Sequence, residues 1–428
     1  MADTSTHEGP TVRMQLQLAG PAIIVGAVSA LGLFVVDELA LVVEHLLWSR
    51  LPSAWEVDPE SGWWIFGVLA LTGLVVGLVV QFVPGHGGRD SATTELIAPP
   101  LALSAVPGLV LVTVLGLAGG VSLGPEIPII AVNTAVLVAL VARWRPGVPT
   151  GLVVMTTASG TVGALFGTPV AAALVFTGVV AGFKDGGALW DRLFLPLASA
   201  AAGAVTMRWL DGPQLPDAGF PPLGTPGAVH LGTGLAVAVA GTLIGLAAVH
   251  AFPHVHRFFH GLRHPALYTT LGGLLLGGLG ALGGPLTLFK GAHQMGDLVR
   301  NPAEHSAQEL VLVLVVKLGA LLVAAGAGFR GGRIFPAVFM GAVVGLLGHA
   351  LIPAMPLGLA IACGILGVVL PVARDGWIAL FIAVAVVGDI TVLVVLSLVV
   401  LPLWLMVSGA PEMMVEPPPV RVGTEPAP

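Results

Sequence analysis

Charge is what this chain has least of. Only 9% of its 428 residues are Asp, Glu, Lys or Arg, against about 25% in a soluble domain. So few charges do not cover a water-facing surface. With 56% hydrophobic residues and a mean hydropathy of +0.97, the chain reads as an integral membrane protein. Cysteine is almost missing. Cys363 stands alone, which excludes an intramolecular disulfide and a cysteine-built metal centre. The net charge of −6 is spread thinly, and without a basic stripe there is no footprint for nucleic acid. Catalytic patterns are missing too. There is no H-E-x-x-H for a zinc protease, Asp389 has no obvious partner for an aspartyl dyad, and no serine forms a convincing pair with a base. Neither an enzyme nor a cofactor is expected.

The opening "MADTSTHEGPTVRMQ" is polar and no small-residue cleavage site follows an early apolar core. No cleaved signal peptide is expected, and 18–47 reads as a retained membrane segment. Glycine and proline are abundant, at 59 and 34. Membrane helices tolerate both where neighbours satisfy the freed backbone groups, so this content predicts short, broken and re-entrant helices. The fold class expected is all-α and polytopic. Several apolar runs, such as 128–142 and 150–165, are shorter than the ~20 residues of a plain span.

The Pro/Gly-rich segment "DGPQLPDAGFPPLGTPG" (211–227) lies near the midpoint. It divides the chain into a polar tail (1–17), a first membrane repeat (18–210), the connector (211–227), a second repeat (228–410) and a Pro-rich tail (411–428). Comparison of the halves supports a duplication. Gly120, Gly124 and Pro128 match Gly328, Gly332 and Pro336 at one constant offset of 208 residues. "SGTVGA" (159–164) also matches "CGILGV" (363–368), pairing Gly160 with Gly364 and Gly163 with Gly367. Two repeats that meet at interrupted helices are an arrangement transporters use to build a midplane ion site. Pro128 and Pro336 are suited to open helices. Free N–H groups and the dipole at such helix starts attract anions.

Within this apolar region Glu126 is the only charged residue between Glu95 and Arg143. An intramembrane carboxylate costs ~2.5–3.5 kcal/mol on insertion scales, so it needs a partner or a purpose. It is either a tethered anion that occupies the site and yields to a competing anion or a proton, or a capping carboxylate with no gating role.

These residues resemble the chloride channel (CLC) family, in particular a divergent bacterial branch of ion-channel and ion-transport proteins. Gly124-Pro125-Glu126-Ile127-Pro128 is similar to the family's G-[KR]-E-G-P element, which carries the gating glutamate. Gly332-Arg333-Ile334-Phe335-Pro336 is similar to G-x-F-x-P, and Gly85-His86-Gly87-Gly88-Arg89 to G-S-G-x-P. The resemblance covers about 18–413. It implies a CLC-like fold of two inverted repeats, a homodimer with one pore per subunit, and a bacterial plasma membrane location. Chloride or another small anion and the lipid bilayer are the implied partners. It further implies an anion site at His86, Gly87, Gly124, Ile127, Arg333, Ile334, Phe335 and Met413, with Glu126 as gate.

Departures from the pattern are specific. Pro125 replaces the family's basic residue, His86 a serine ligand, and Met413 a tyrosine ligand, since Tyr268 lies elsewhere. Val179 occupies the position of the carboxylate that relays protons in exchangers. Arg333 either supplies a guanidinium to the anion, or faces a vestibule or pairs with an acid. His86 either donates an N–H or is a turn histidine in water. Arg330 and Lys317 read as structural or vestibule charges. In "HAFPHVHRFFHGLRH", His256, His260 and His264 are spaced for one helical face. With no acid nearby in sequence, the run reads as an interfacial helix end and no metal site is expected. Trp48, Trp55, Trp63, Trp64, Trp144 and Trp209 read as an interfacial belt, and Asp191–Arg192 and Arg374–Asp375 as local pairs or caps. The function expected is passive anion conduction. Proton-coupled exchange, fluoride selectivity and a non-conducting scaffold are the alternatives.

Overall fold

The computed structural model describes residues 12–181, 188–212 and 219–416. All regular structure among them is helical, the lone exception being one isolated β-bridge. In the first half the helices are α1 (Val12–His45), extended by a π-turn into α2 (Leu51–Ala54), then α3 (Gly62–Phe82), α4 (Val106–Ala118), α5 (Glu126–Trp144), α6 (Thr150–Phe166), α7 (Pro169–Ala181) and α8 (Leu189–Trp209). The second half holds α9 (Ala228–His260), α10 (Pro265–Gly283), the short α11 (Ala292–Arg300), α12 (Ala307–Gly326), α13 (Ile334–Leu351), α14 (Leu357–Ala373), α15 (Gly376–Val387) and α16 (Val392–Val407). Among the described residues seven helical runs are long and apolar enough to cross a membrane, while α6, α14, α15 and α16 fall short. That mixture is what the glycine and proline content predicts.

The order repeats. α1, α3, α4, α5, α6, α7 and α8 find counterparts in α9, α10, α12, α13, α14, α15 and α16, and the packing repeats with them: α1 lies against α6 and α8, as α9 lies against α14 and α16. The halves join through α3 against α10, where Gly73 and Gly273 face one another so closely that a Cβ on either would strike the other's backbone. The register of the second sequence match needs correction. The starts Thr150 and Leu357, and the ends Phe166 and Ala373, pair Gly160 with Gly367 rather than Gly364. Contacts agree: Gly160 abuts Gly26 on α1, and Gly367 abuts Gly241 on α9. In helices this rich in small residues, a shift of under one turn keeps several apparent matches, so identity alone does not fix the alignment.

The connector 211–227 lies between α8 and α9, with 213–218 outside the described residues. Its end is tied down by Asp389, whose Oδ2 accepts from the Leu223 N–H at 2.7 Å while the same carboxylate accepts from Thr391. Asp389 therefore pins the turn before α16 to the connector. Trp55, Trp63, Trp144 and Trp209 are exposed, as a belt requires. Trp48 and Trp64 instead turn inward, donating to the carbonyls of Ala118 and Leu47. Asp375 caps α15 through the N–H groups of Trp377 and Ile378, and Arg374 donates to the carbonyls of Ser408 and Ala410.

Candidate functional site

Two equivalent breaks build the site. α4 ends at Ala118 and the chain turns through Gly120, at φ +84°, before α5 begins. α12 ends at Gly326 and turns through Gly328, at φ +77°, before α13 begins. Such a φ favours glycine. The two incoming segments then touch. The Gly124 N–H donates to the Gly332 carbonyl at 2.8 Å, and the Gly332 N–H donates back at 2.6 Å. Pro128 and Pro336 lie in the first turns beyond, although the helices open slightly earlier, at Glu126 and Ile334. Proline belongs there because first-turn N–H groups lack helical partners.

Glu126 is 1% exposed. Its Oε1 accepts the Phe335 N–H, in the first turn of α13, at 3.0 Å. Its Oε2 has no protein partner and lies where a Cβ on Gly124 or Gly332 would be. A carboxylate from one repeat thus occupies the helix N-terminus of the other. The Phe335 ring stacks against Phe166 at 6.1 Å, and the Lys290 Nζ lies 5.8 Å from its centroid.

A cavity opens on each side of this contact. One, of about 640 Å³, is lined by Pro125, Phe335, Lys290, Asp37 and Glu44 among others. Lys290 Nζ lies 3.4 Å from Asp37 Oδ1 in its wall. The other, of about 430 Å³, is lined by Glu126, Ile127, Gly332, Arg333, Ile334 and Met413, with the acids Glu95, Asp375 and Glu412. Arg333 Nη1 is buried there with no hydrogen-bond partner, and its guanidinium carbon lies 5.9 Å from the Phe252 ring centroid. An unpaired buried guanidinium donor is costly unless something accepts from it.

Most of the expected site residues therefore meet: Glu126, Ile127, Arg333, Ile334 and Met413 on one cavity, Phe335 on both counts as donor and wall, and Gly124 in the bridge. His86 and Gly87 do not join them. Both adopt left-handed backbone, at φ +50° and +63°. The exposed His86 ring folds back with Nδ1 3.0 Å from the Val80 carbonyl. Arg330 takes the turn's carbonyls, donating Nε to Gly87 at 3.2 Å and Nη2 to His86 at 3.3 Å. Arg330 is a structural clamp. Lys317 is another, fully buried and donating to the carbonyls of Thr287, Leu288 and Phe289. Val179 lies on α7, its side chain outside the described residues. Lys290 and Asp37 were not singled out in the sequence. Nothing local marks them, since Asp37 sits in an ordinary helix 253 residues away from Lys290.

A family model described as voltage gated chloride channel matches residues 71–402. The chain belongs to the chloride channel (CLC) family. Among curated relatives, "Putative ion-transport protein YfeO" of Escherichia coli (strain K12 / DH10B) is 47% identical over 411 residues, covering 96% of this chain and 97% of the relative. The same-named protein of Escherichia coli O157:H7 matches to the same extent. Among solved structures, a CLC-type fluoride/proton antiporter aligns over 94% of this chain and 98% of its own, with 16% identity and a TM-score of 0.74. A slow cyanobacterial Cl⁻/H⁺ antiporter aligns over 94% and 96%, with 16% identity and a TM-score of 0.76. At that identity the likeness establishes the CLC fold of inverted repeats. This CLC protein keeps the paired helix breaks and the glutamate, while placing arginine at the start of α13.

Proposed function

We propose that this protein carries a small anion, most simply chloride, passively across the bacterial plasma membrane, with Glu126 as its gate. The observation that carries this reading is the Glu126 carboxylate on the Phe335 N–H, between two cavities and at the start of α13. A carboxylate fits where an anion fits. When it is protonated or displaced, chloride takes the same donor and the two cavities become continuous.

Each step has a physical support. Lys290, paired with Asp37, and Arg333 each bring a positive charge to the pathway from one of the two cavities, among the acids that line both. In the pathway the ion exchanges hydration for N–H groups at the starts of α5 and α13, aided by both helix dipoles. The unpartnered Arg333 Nη1 supplies a charge-assisted donor in place of the missing hydroxyl ligands. Met413 contributes only apolar wall, so binding stays weak enough for ions to leave. Each chain holds a complete set of these residues, so the expected homodimer carries two separate pathways.

Proton-coupled exchange is the second reading, favoured by one arrangement. Glu95, Asp375 and Glu412 line the cavity beside Glu126, and offer carboxylates that Val179 does not. Efflux from liposomes separates the two. Vesicles loaded with chloride, voltage-clamped with a potassium ionophore, are monitored for external chloride and pH together. Chloride efflux without proton movement supports passive conduction; coupled proton uptake supports exchange. No flux of chloride, fluoride or nitrate, from wild type and Glu126→Gln alike, overturns both.

A further inference from the structure

Away from the anion pathway, the fold brings Asp90, from the loop between α3 and α4, against His256 and His260, one turn apart near the end of α9. The sequence spacing suggests a histidine face including His264, but α9 ends at His260 and His264 stands at the N-cap position of α10 instead. The acid that the local sequence lacks is supplied from 170 residues away.

The three candidate ligand atoms are His256 Nε2, His260 Nε2 and Asp90 Oδ2. Asp90 Oδ2 lies 3.7 Å from His256 Nε2 and 3.2 Å from His260 Nε2, and the three lie within 4.8 Å of one another. Zinc bonds to imidazole nitrogen and carboxylate oxygen are about 2.0–2.2 Å long, which sets tetrahedral ligand atoms roughly 3.4 Å apart. The two measured separations bracket that value. The carboxylate divides its work: Oδ1 accepts the Ala92 N–H at 3.0 Å and faces Arg330 at 3.7 Å, leaving Oδ2 for the imidazoles.

The hydrogen bonding points the same way. His260 Nδ1 lies 3.1 Å from the His256 carbonyl. A carbonyl only accepts, so Nδ1 carries a proton, and Nε2 is left to face Asp90 Oδ2 at 3.2 Å, either as a second N–H donor or, with a cation between them, through its lone pair. The Nδ1 contact is the outer bond that orients a metal-binding histidine. His256 Nε2 is buried with no hydrogen-bond partner. A proton shared by His260 and Asp90 would join those two and leave His256 unmatched, because 3.7 Å is too long for a hydrogen bond. One cation between the three atoms serves all of them. The residues remain reachable from water, with side chains 12%, 29% and 18% exposed for His256, His260 and Asp90.

We propose that Asp90, His256 and His260 form a site for a divalent transition-metal ion of the zinc class, with water completing the shell. Imidazole ligands select zinc, copper or nickel over magnesium or calcium. Arg330 opposes the added charge, so the two neutral imidazoles carry the affinity. The site adjoins the transport machinery, since Ser91, next to Asp90, accepts the Gly331 N–H at 3.0 Å.

The test is equilibrium dialysis of the purified full-length chain in detergent against zinc, with metal per chain read by mass spectrometry. One zinc per wild-type chain is expected, with at least tenfold weaker binding in His256→Ala and in His260→Ala. His254→Ala, exposed on the same helix, leaves binding unchanged. Cobalt substitution gives a second readout that needs no variant, the visible absorption of a tetrahedral site in the wild type. Zinc retention in wild type no greater than in the double histidine variant, or cobalt without that absorption, overturns the proposal.

Discussion

Gly124 and Gly332 exchange both of their backbone hydrogen bonds, at 2.8 and 2.6 Å, where the two repeats meet. They are equivalent positions of the two repeats, and their pairing is antiparallel. A self-paired antiparallel bridge sets the repeats in opposite senses, so the starts of α5 and α13 converge. Glu126 Oε2 lies against both glycines, and a Cβ on either would meet it.

Gly332→Ala should therefore expel the Glu126 carboxylate or strain the bridge, costing about 1–3 kcal/mol as overpacking does. In a Glu126→Ala background most of that cost should vanish, giving a coupling above about 0.5 kcal/mol in a double-mutant cycle. Thermal or denaturant unfolding of the four proteins measures it. Additive effects would show that the carboxylate does not press on the glycine.

Arg333→Ala removes the unpartnered buried Nη1 donor. Charge-assisted hydrogen bonds contribute ~1.5–3 kcal/mol, so chloride binding should weaken by roughly 10- to 100-fold. Calorimetric titration of chloride in a gluconate background reads the change, and Arg333→Lys should recover part of it. An unchanged Kd would assign Arg333 to the cavity wall alone.

What was legible in the sequence was local. Gly120, Gly124 and Pro128 against Gly328, Gly332 and Pro336 marked both helix breaks, because a left-handed turn and a first-turn proline each demand a residue type. Glu126 and Arg333 stood out because charge is rare around them. Met413, which only the resemblance implies, lines the cavity beside Glu126. His86 lies off this cavity, because a run of glycines permits many turns and Arg330, far along the chain, helps select the one adopted. Lys290 with Asp37, and Asp90 with His256 and His260, arise from packing between distant helices, which leaves no local signature.

Lys317 holds three successive carbonyls at the end of the turn before Lys290. Lys317→Met preserves much of the side-chain length and removes the donors. Leaving buried carbonyls unmatched costs roughly 1–3 kcal/mol, so a lower melting temperature in detergent is expected. No shift in melting would mean that water replaces the ammonium group.

Asp375 tests the electrostatics of the cavity rim. Burial raises its carboxyl above the ordinary carboxylate value of 3.8, outweighing the Ile378 and Trp377 N–H groups that lower it. With a folded value above the unfolded one, its contribution to stability is full below the unfolded value and is lost as pH rises through the folded one. Asp375→Asn keeps a good cap and removes the buried charge. At pH 7 it should match or exceed wild-type stability, whereas Asp375→Ala should lose about 0.5–2 kcal/mol. If Asp375→Asn is as destabilised as Asp375→Ala at pH 7, the charged form is the one the fold favours.

Bromide binding to Glu126→Ala tests most directly whether the carboxylate occupies an anion site. Crystals of wild type and variant grown in bromide, with anomalous scattering recorded above the bromine edge, show where the ion sits. The account predicts a bromide peak in the variant within hydrogen-bond reach of the Phe335 N–H, where Oε1 lies in the wild type, and none there in the wild type. A variant with that position free of bromide, while bromide occupies other sites, would contradict it.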